Sequence, residues 1–225
     1  MECPQNSTTT FFGSCSQFPS VINDELIDTR QFLDASRGIV QFVEFLGTVF
    51  SPVKSDINGN ITKLAAIYEK SPTDYEHLHN IIKSELELPE GEFHIGTDAL
   101  LWLTRAIEYI KVFLTLFVQD FDNNQNQKSL EQYFGFAYEA TLKKYHGWFV
   151  QKIFGLCLKA APGRDSLLKL LSRSAIEEDN SITKAIDSQE ELLIFNALKS
   201  YLVNLEKNID TIHKIYTANN IDYRK

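Results

Sequence analysis

Apolar residues recur three and four positions apart through most of this chain and rarely alternate, so the pattern predicts helices and not strands. The first helical pattern runs from about Asp28 to Glu69, with Gly38 and Pro52 as points where it can kink or break. "SPTDYEHLHNIIKSELEL" opens with turn chemistry, becomes helical, and stops at Pro89-Glu90-Gly91. A long apolar pattern from Gly96 to about Asp122 ends in the polar loop "DNNQNQ". Another spans about Ser129 to Ala161 and is closed by Pro162-Gly163. A short helix follows from Asp165, then the acidic loop "IEEDNS", then a last helix from about Ser188 to Ala218. No internal repeat or domain boundary shows. The expected architecture is all-α, with helical hairpins packed in two layers as one domain over residues 21–225. Residues 1–20, rich in Ser, Thr and Gln, are expected to form a mobile tail.

Three of these helices change character along one side. On the first, Phe42, Phe45, Val49 and Val53 lead into Asp56, Asn60 and Lys63 of "DINGNITK", and the last three fall within roughly 60° of arc. Two readings stand: the stripe leaves the core for water after Pro52, or it walls a pocket for an amphiphile. On the second, Asp98 and Trp102 precede Ala106, Tyr109, Phe113 and Phe117 on a shared stripe. On the third, His146 shares a face with Leu142, Phe149, Val150 and Ile153, while Lys144, Trp148, Lys152 and Lys159 lie opposite. A tryptophan among lysines suits a membrane interface, and equally a solvated basic stripe.

Composition narrows the choices. Of 225 residues, 44% are hydrophobic and 16 are Phe, enough for a large core. The net charge of −8 argues against a nucleic-acid partner, which needs a basic footprint. Cys3, Cys15 and Cys157 have no metal-ligand spacing and cannot form an even disulfide framework. A reducing compartment is therefore expected, and with no signal peptide or membrane span legible, the cytoplasm. In that setting the sequon at Asn60 carries no meaning. No cofactor or metal is expected.

Taken together, "DINGNITK", "LLWLTRAIEYIKVFL" around Trp102 and "LKKYHGWFVQKIF" around His146 resemble the glycolipid transfer protein family, in its order and spacing from about Ile39 to Tyr223. The resemblance implies a two-layer helical sandwich enclosing a hydrophobic lipid cavity, and non-enzymatic movement of glycosphingolipids between membranes. It implies that Asp56, Asn60 and Lys63 hydrogen-bond the first sugar over the indole of Trp102. Asp56 and His146 would hold the ceramide amide and hydroxyl, and Tyr223 would line the headgroup site. Phe42, Phe50, Val53, Leu142, Phe154, Leu167 and Leu171 would line the tunnel, with Trp148, Phe149 and Lys152 on the membrane. The chemistry agrees: Asp accepts, Lys donates, Asn does both, and an indole offers sugar C–H groups a flat face.

The chain departs from the family pattern in places. Asp98 stands where an apolar residue is expected, which suggests an extra sugar contact and narrower headgroup choice, or helix capping with Thr97. Lys159 and Gly163 stand where membrane-touching tyrosines are expected, so docking would lean on charge. Three rivals are weighed. One is the ceramide 1-phosphate branch, disfavoured because Asn60 and Trp102 stand where that branch has cations. Another is a glycolipid sensor or adaptor that transfers little. The third is an enzyme using Asp56 and His146, for which no nucleophile or metal set is apparent.

Overall fold

The computed structural model describes residues 10–23, 25–89, 92–123, 128–172 and 185–221. The chain forms an all-α sandwich, and among the described residues there is no strand, only two isolated bridges. Its helices are α1 (Phe11–Ser14), α2 (Thr29–Phe45), α3 (Ser51–Tyr68), α4 (Leu78–Leu86), α5 (Ile95–Asp122), α6 (Leu130–Ala140), α7 (Trp148–Lys159), α8 (Arg164–Leu171) and α9 (Ser188–Ala218). The central α5 packs against α3, α4, α6 and α9, while α2 lies along α3.

Helix ends follow local chemistry. Ser129 and Asp187 each form a capping box, with Gln132 and Glu190 respectively, and so fix the starts of α6 and α9. The start of α5 is capped from a neighbouring helix. The buried Glu85 carboxylate of α4 accepts from Gly96 N at 2.6 Å, Thr97 N at 2.7 Å and Thr97 Oγ1 at 2.7 Å. Such close approach needs glycine at 96, where a Cβ would lie 2.6 Å from Ile81 Cγ2.

Three expectations need correction. The predicted helix from Asp28 to Glu69 is two helices. Gly38 lies inside α2 without breaking it, and Gly47, at φ 99°, turns the chain into a short 3₁₀ turn before Pro52 sits at the first turn of α3. The predicted helix from Ser129 to Ala161 breaks between α6 and α7. There Thr141 Oγ1 donates to Ala137 O at 2.7 Å, Lys143–Tyr145 form a 3₁₀ turn, and His146 is extended. The predicted tail is not loose over residues 10–20: Phe11, Phe12 and Phe18 are buried. Phe12 meets Tyr201 with centroids 4.8 Å apart, and Phe18 meets Phe32 at 5.6 Å. Three rings in a polar stretch supply enough apolar area to outweigh its Ser and Thr content. Residues 1–9 lie outside the described residues.

Candidate functional site

A cavity of about 460 Å³ opens between α3, α5 and the turn leading into α7. That size falls within the ~300–1,000 Å³ of small-ligand sites. One end is polar: α3 contributes Asp56, Asn60 and Lys63, the first turns of α5 contribute Asp98 and Trp102, and the turn contributes His146. All six sequence-predicted residues therefore meet in one place. Tyr223 lies outside the described residues.

The other end is apolar. Val53, Leu142 and Phe154 line it as expected, with Val150 and Ile153, and it ends on Tyr109 and Cys157. Phe42, Phe50, Leu167 and Leu171 do not line it; they are fully buried in the packed core. Phe50 contacts Phe134 at 5.9 Å, and Phe134 stacks on Phe113 at 3.7 Å. An apolar void is destabilising, so rings in the interior close on one another.

Within α3, Asn60 is buried and spends one amide hydrogen on Asp56 O at 3.1 Å. Asp56 and Lys63 stand exposed beside it. Asp98 is also exposed, and since Glu85 takes the first N–H groups of α5, its carboxylate is not used as the cap. The Trp102 indole is held from several sides. His146 lies nearly parallel to it, 17° between planes and 6.4 Å between centroids, and Tyr145 meets it edge-on at 6.4 Å. The Arg105 guanidinium lies 4.7 Å from the indole centroid and 3.6 Å from the Tyr145 ring, a cation–π sandwich in a buried setting.

His146 is fixed by its turn. Gln151 Nε2 donates to His146 O at 2.8 Å and to Lys143 O at 3.2 Å, and the imidazole Nδ1 lies 3.0 Å from the Tyr138 hydroxyl. Burial pulls the imidazole below its ordinary pKa, which the neighbouring Asp56 opposes and Arg105 reinforces. Asp56 is exposed as a residue, but partial desolvation of its carboxyl raises that group's pKa, opposed by His146 and Lys63. The pair sets the Asp56 carboxyl oxygens near the His146 imidazole in the lining of the cavity. Sequence reading missed Tyr138, Tyr145 and Gln151, whose contacts cross a helix break that apolar spacing does not reveal, and Arg105, which lies one turn from Trp102 on α5 and also reaches Tyr145.

The first turn of α7 joins the cavity to the surface. Val150 lines the cavity, while Trp148, 72% exposed, and Phe149, 68% exposed, face outward with Leu156 further along the helix. Lys152 Nζ lies 5.9 Å from the Trp148 ring, and Lys144 and Lys159 are exposed nearby in sequence. The structure confines the notional lysine–tryptophan face to α7, since Lys144 belongs to the preceding turn. Among the described residues no His, Cys, Asp and Glu cluster could hold a metal, and no helix is long and apolar enough to cross a membrane.

Comparison with known proteins agrees with this arrangement. Residues 27–173 match the family described as glycolipid transfer protein. The glycolipid transfer protein of Danio rerio is 38% identical over 209 residues, covering 92% of this chain and 94% of its own. The solved structure describing how FAPP2 selects simple glycosphingolipids using the GLTP-fold superposes with a TM-score of 0.75 at 28% identity, over 97% of this chain and 96% of that one. Mouse ceramide-1-phosphate transfer protein, at 21% identity and a TM-score of 0.70 over 89% and 92%, shares the fold. With its three sequence motifs gathered at one cavity in an all-α sandwich, this chain belongs to the glycolipid transfer protein family.

Proposed function

We propose that the protein carries glycosphingolipids of the glucosyl-, galactosyl- or lactosylceramide class between membrane surfaces, without catalysing a reaction on them. The observation that carries this reading is one cavity with a carboxylate, an amide, an ammonium and an indole at one end and hydrocarbon at the other. A sugar ring on Trp102 would expose its hydroxyls to Asp56, Asn60 and Lys63, and each bond to a charged partner contributes roughly 1.5–3 kcal/mol. Asp56 would accept from the ceramide amide N–H, and His146 would donate to its carbonyl.

The hydrocarbon sets the scale. At about 0.8 kcal/mol per methylene, exposing the ~30 methylenes of a ceramide to water costs on the order of 20 kcal/mol. Headgroup bonds cannot offset that, so both chains must be wrapped. The cavity ends on Tyr109, Phe154 and Cys157, so full-length chains would enter by parting the rings behind them. The exposed Trp148 and Phe149, with Lys152 beside them, would rest among headgroups at the cytosolic face of a membrane and place the cavity mouth against it.

The lining also bears on the ceramide 1-phosphate alternative. Among the described residues Lys63 is the one lysine or arginine in the lining, while Asp56 and Asp98 both bring carboxyl groups. A phosphomonoester of about −1.5 to −2 charge would meet more repulsion than attraction there. The test is transfer between vesicles of galactosylceramide, lactosylceramide, sulfatide, ceramide 1-phosphate and phosphatidylcholine. Neutral glycolipids should move fastest. Preferred transfer of ceramide 1-phosphate would overturn the headgroup assignment, and stoichiometric glycolipid binding with negligible transfer would make the protein a sensor instead. Free sugar released from glucosylceramide would contradict a non-catalytic role.

A further inference from the structure

We propose that Tyr138 is a positioning residue: its hydroxyl donates to Nδ1 of His146, fixes the imidazole as the Nε2–H tautomer, and so presents an N–H donor to the cavity. The part of this inference that concerns lipid rests on the function proposed above; the tautomer assignment does not.

Residues eight apart in an unbroken helix are separated by about 12 Å of rise and cannot touch. Tyr138 lies in the last turn of α6, and His146 sits beyond the 3₁₀ turn, so only the break folds the imidazole back to 3.0 Å from the phenol. The phenol is itself packed, by burial and by stacking. Its ring is buried and stacks on Phe154 at 4.0 Å with 9° between planes, and Phe154 is part of the cavity wall. The backbone of the turn is held by Gln151.

Direction follows from the donor inventory. Burial pushes the Tyr138 phenol up to about 12, so the hydroxyl keeps its proton near neutrality. If Nδ1–H donated to the phenol oxygen, the phenol hydrogen would need another acceptor, and among the described residues its partner is His146 Nδ1. A buried donor left unmet is costly, so O–H donates to Nδ1. A neutral imidazole that accepts at Nδ1 carries its proton on Nε2, the nitrogen left for the cavity that His146 lines. Beside the Asp56 carboxylate this makes an acceptor–donor pair, the complement of an N-acyl group with its N–H and C=O. The opposite tautomer would set a lone pair against the carbonyl oxygen.

Nitrogen-15 NMR of the lipid-free protein labelled at histidine reads the tautomer directly, and should find His146 protonated at Nε2 with Nδ1 bare. Tyr138→Phe keeps the ring stacked on Phe154 and removes the donor. It should shift His146 toward a mixture of tautomers and slow galactosylceramide transfer about five- to tenfold, with the melting temperature changed by less than about 4 °C. On a His146→Gln background the same substitution should cost nothing further. An Nδ1–H tautomer in the wild-type protein, or a Tyr138→Phe variant whose tautomer and transfer match wild type, overturns the proposal. If His146 is Nε2–H but the wild-type protein moves no glycolipid, the carrier reading and the role of Tyr138 in transfer fail together, while the tautomer assignment holds.

Discussion

The two ends of the cavity are built by opposite means. At the mouth, side chains from α3, α5 and the turn before α7 converge while Asp56, Lys63 and Asp98 stay exposed and Trp102 is half-buried. At the inner end the rings are sealed: Phe113, Phe134 and Tyr109 are at most 1% exposed, with Phe113 on Phe134 at 3.7 Å. Dense packing supplies stability, and a part-solvated set of polar groups supplies discrimination. Choice of headgroup and stability of the fold therefore reside in different residues, and substitutions should separate them.

The largest stability effect belongs to the inner end. Phe134→Ala should cost about 3–5 kcal/mol by urea denaturation, since the void cannot collapse among stacked neighbours. A loss below ~1 kcal/mol would mean that the inner rings are loosely held and that the contrast with the mouth is false. At the mouth, Trp102→Ala should cut galactosylceramide transfer about 30-fold, as for an anchor worth roughly 2 kcal/mol, with a stability loss under ~2 kcal/mol. Equal damage to transfer and to folding would erase the distinction.

A finer effect is expected at Asp98. Asp98→Asn should raise the ratio of sulfatide to galactosylceramide transfer about three- to fivefold at low salt, and less in 0.5 M salt, because like-charge repulsion at the exposed rim is screened. A ratio that ignores both the substitution and the salt would remove Asp98 from headgroup choice. The smallest effect is in acid. His146 has its pKa lowered in the folded protein, against an ordinary 6.5. As pH falls, the unfolded chain takes up that proton first, so this contribution to stability is full above about 6.5 and is lost below it. Asp56, raised above 3.8, works in the opposite sense at lower pH. His146→Gln should therefore lose less melting temperature than wild type between pH 7.5 and 5.5. An identical loss would show that the imidazole does not sit in the desolvated place assigned to it.

Much of this was legible in the chain. The boundaries of α5 and α9 matched their apolar periodicity nearly to the residue; Asp187 and Glu190 mark the start of α9 locally, and asparagine follows the last turn of each helix. Helical spacing showed polar groups interrupting apolar stripes but left a solvent-facing face and a pocket wall both open; the resemblance carried by the three motifs pointed to the pocket. The breaks at Gly47 and Thr141 were not. Leu46 and Leu142 keep the apolar spacing going across them, and only a left-handed φ or a threonine bonded back to its own helix reveals the turn. The buried Phe11, Phe12 and Phe18 were hidden in a stretch whose average composition is polar.

Sequence by itself determined an all-α chain and the aromatic weight of the interior, since both depend on spacing within one helix or on composition; the polar residues of the mouth were indicated by motifs that resemble the glycolipid transfer protein family. Tertiary structure alone decided that Tyr138 reaches His146, that Arg105 meets Tyr145, that Glu85 caps α5, and that Phe42, Phe50, Leu167 and Leu171 pack in the core rather than line the cavity. Periodicity reports which side of a helix turns inward; which partner waits there depends on how the helices cross.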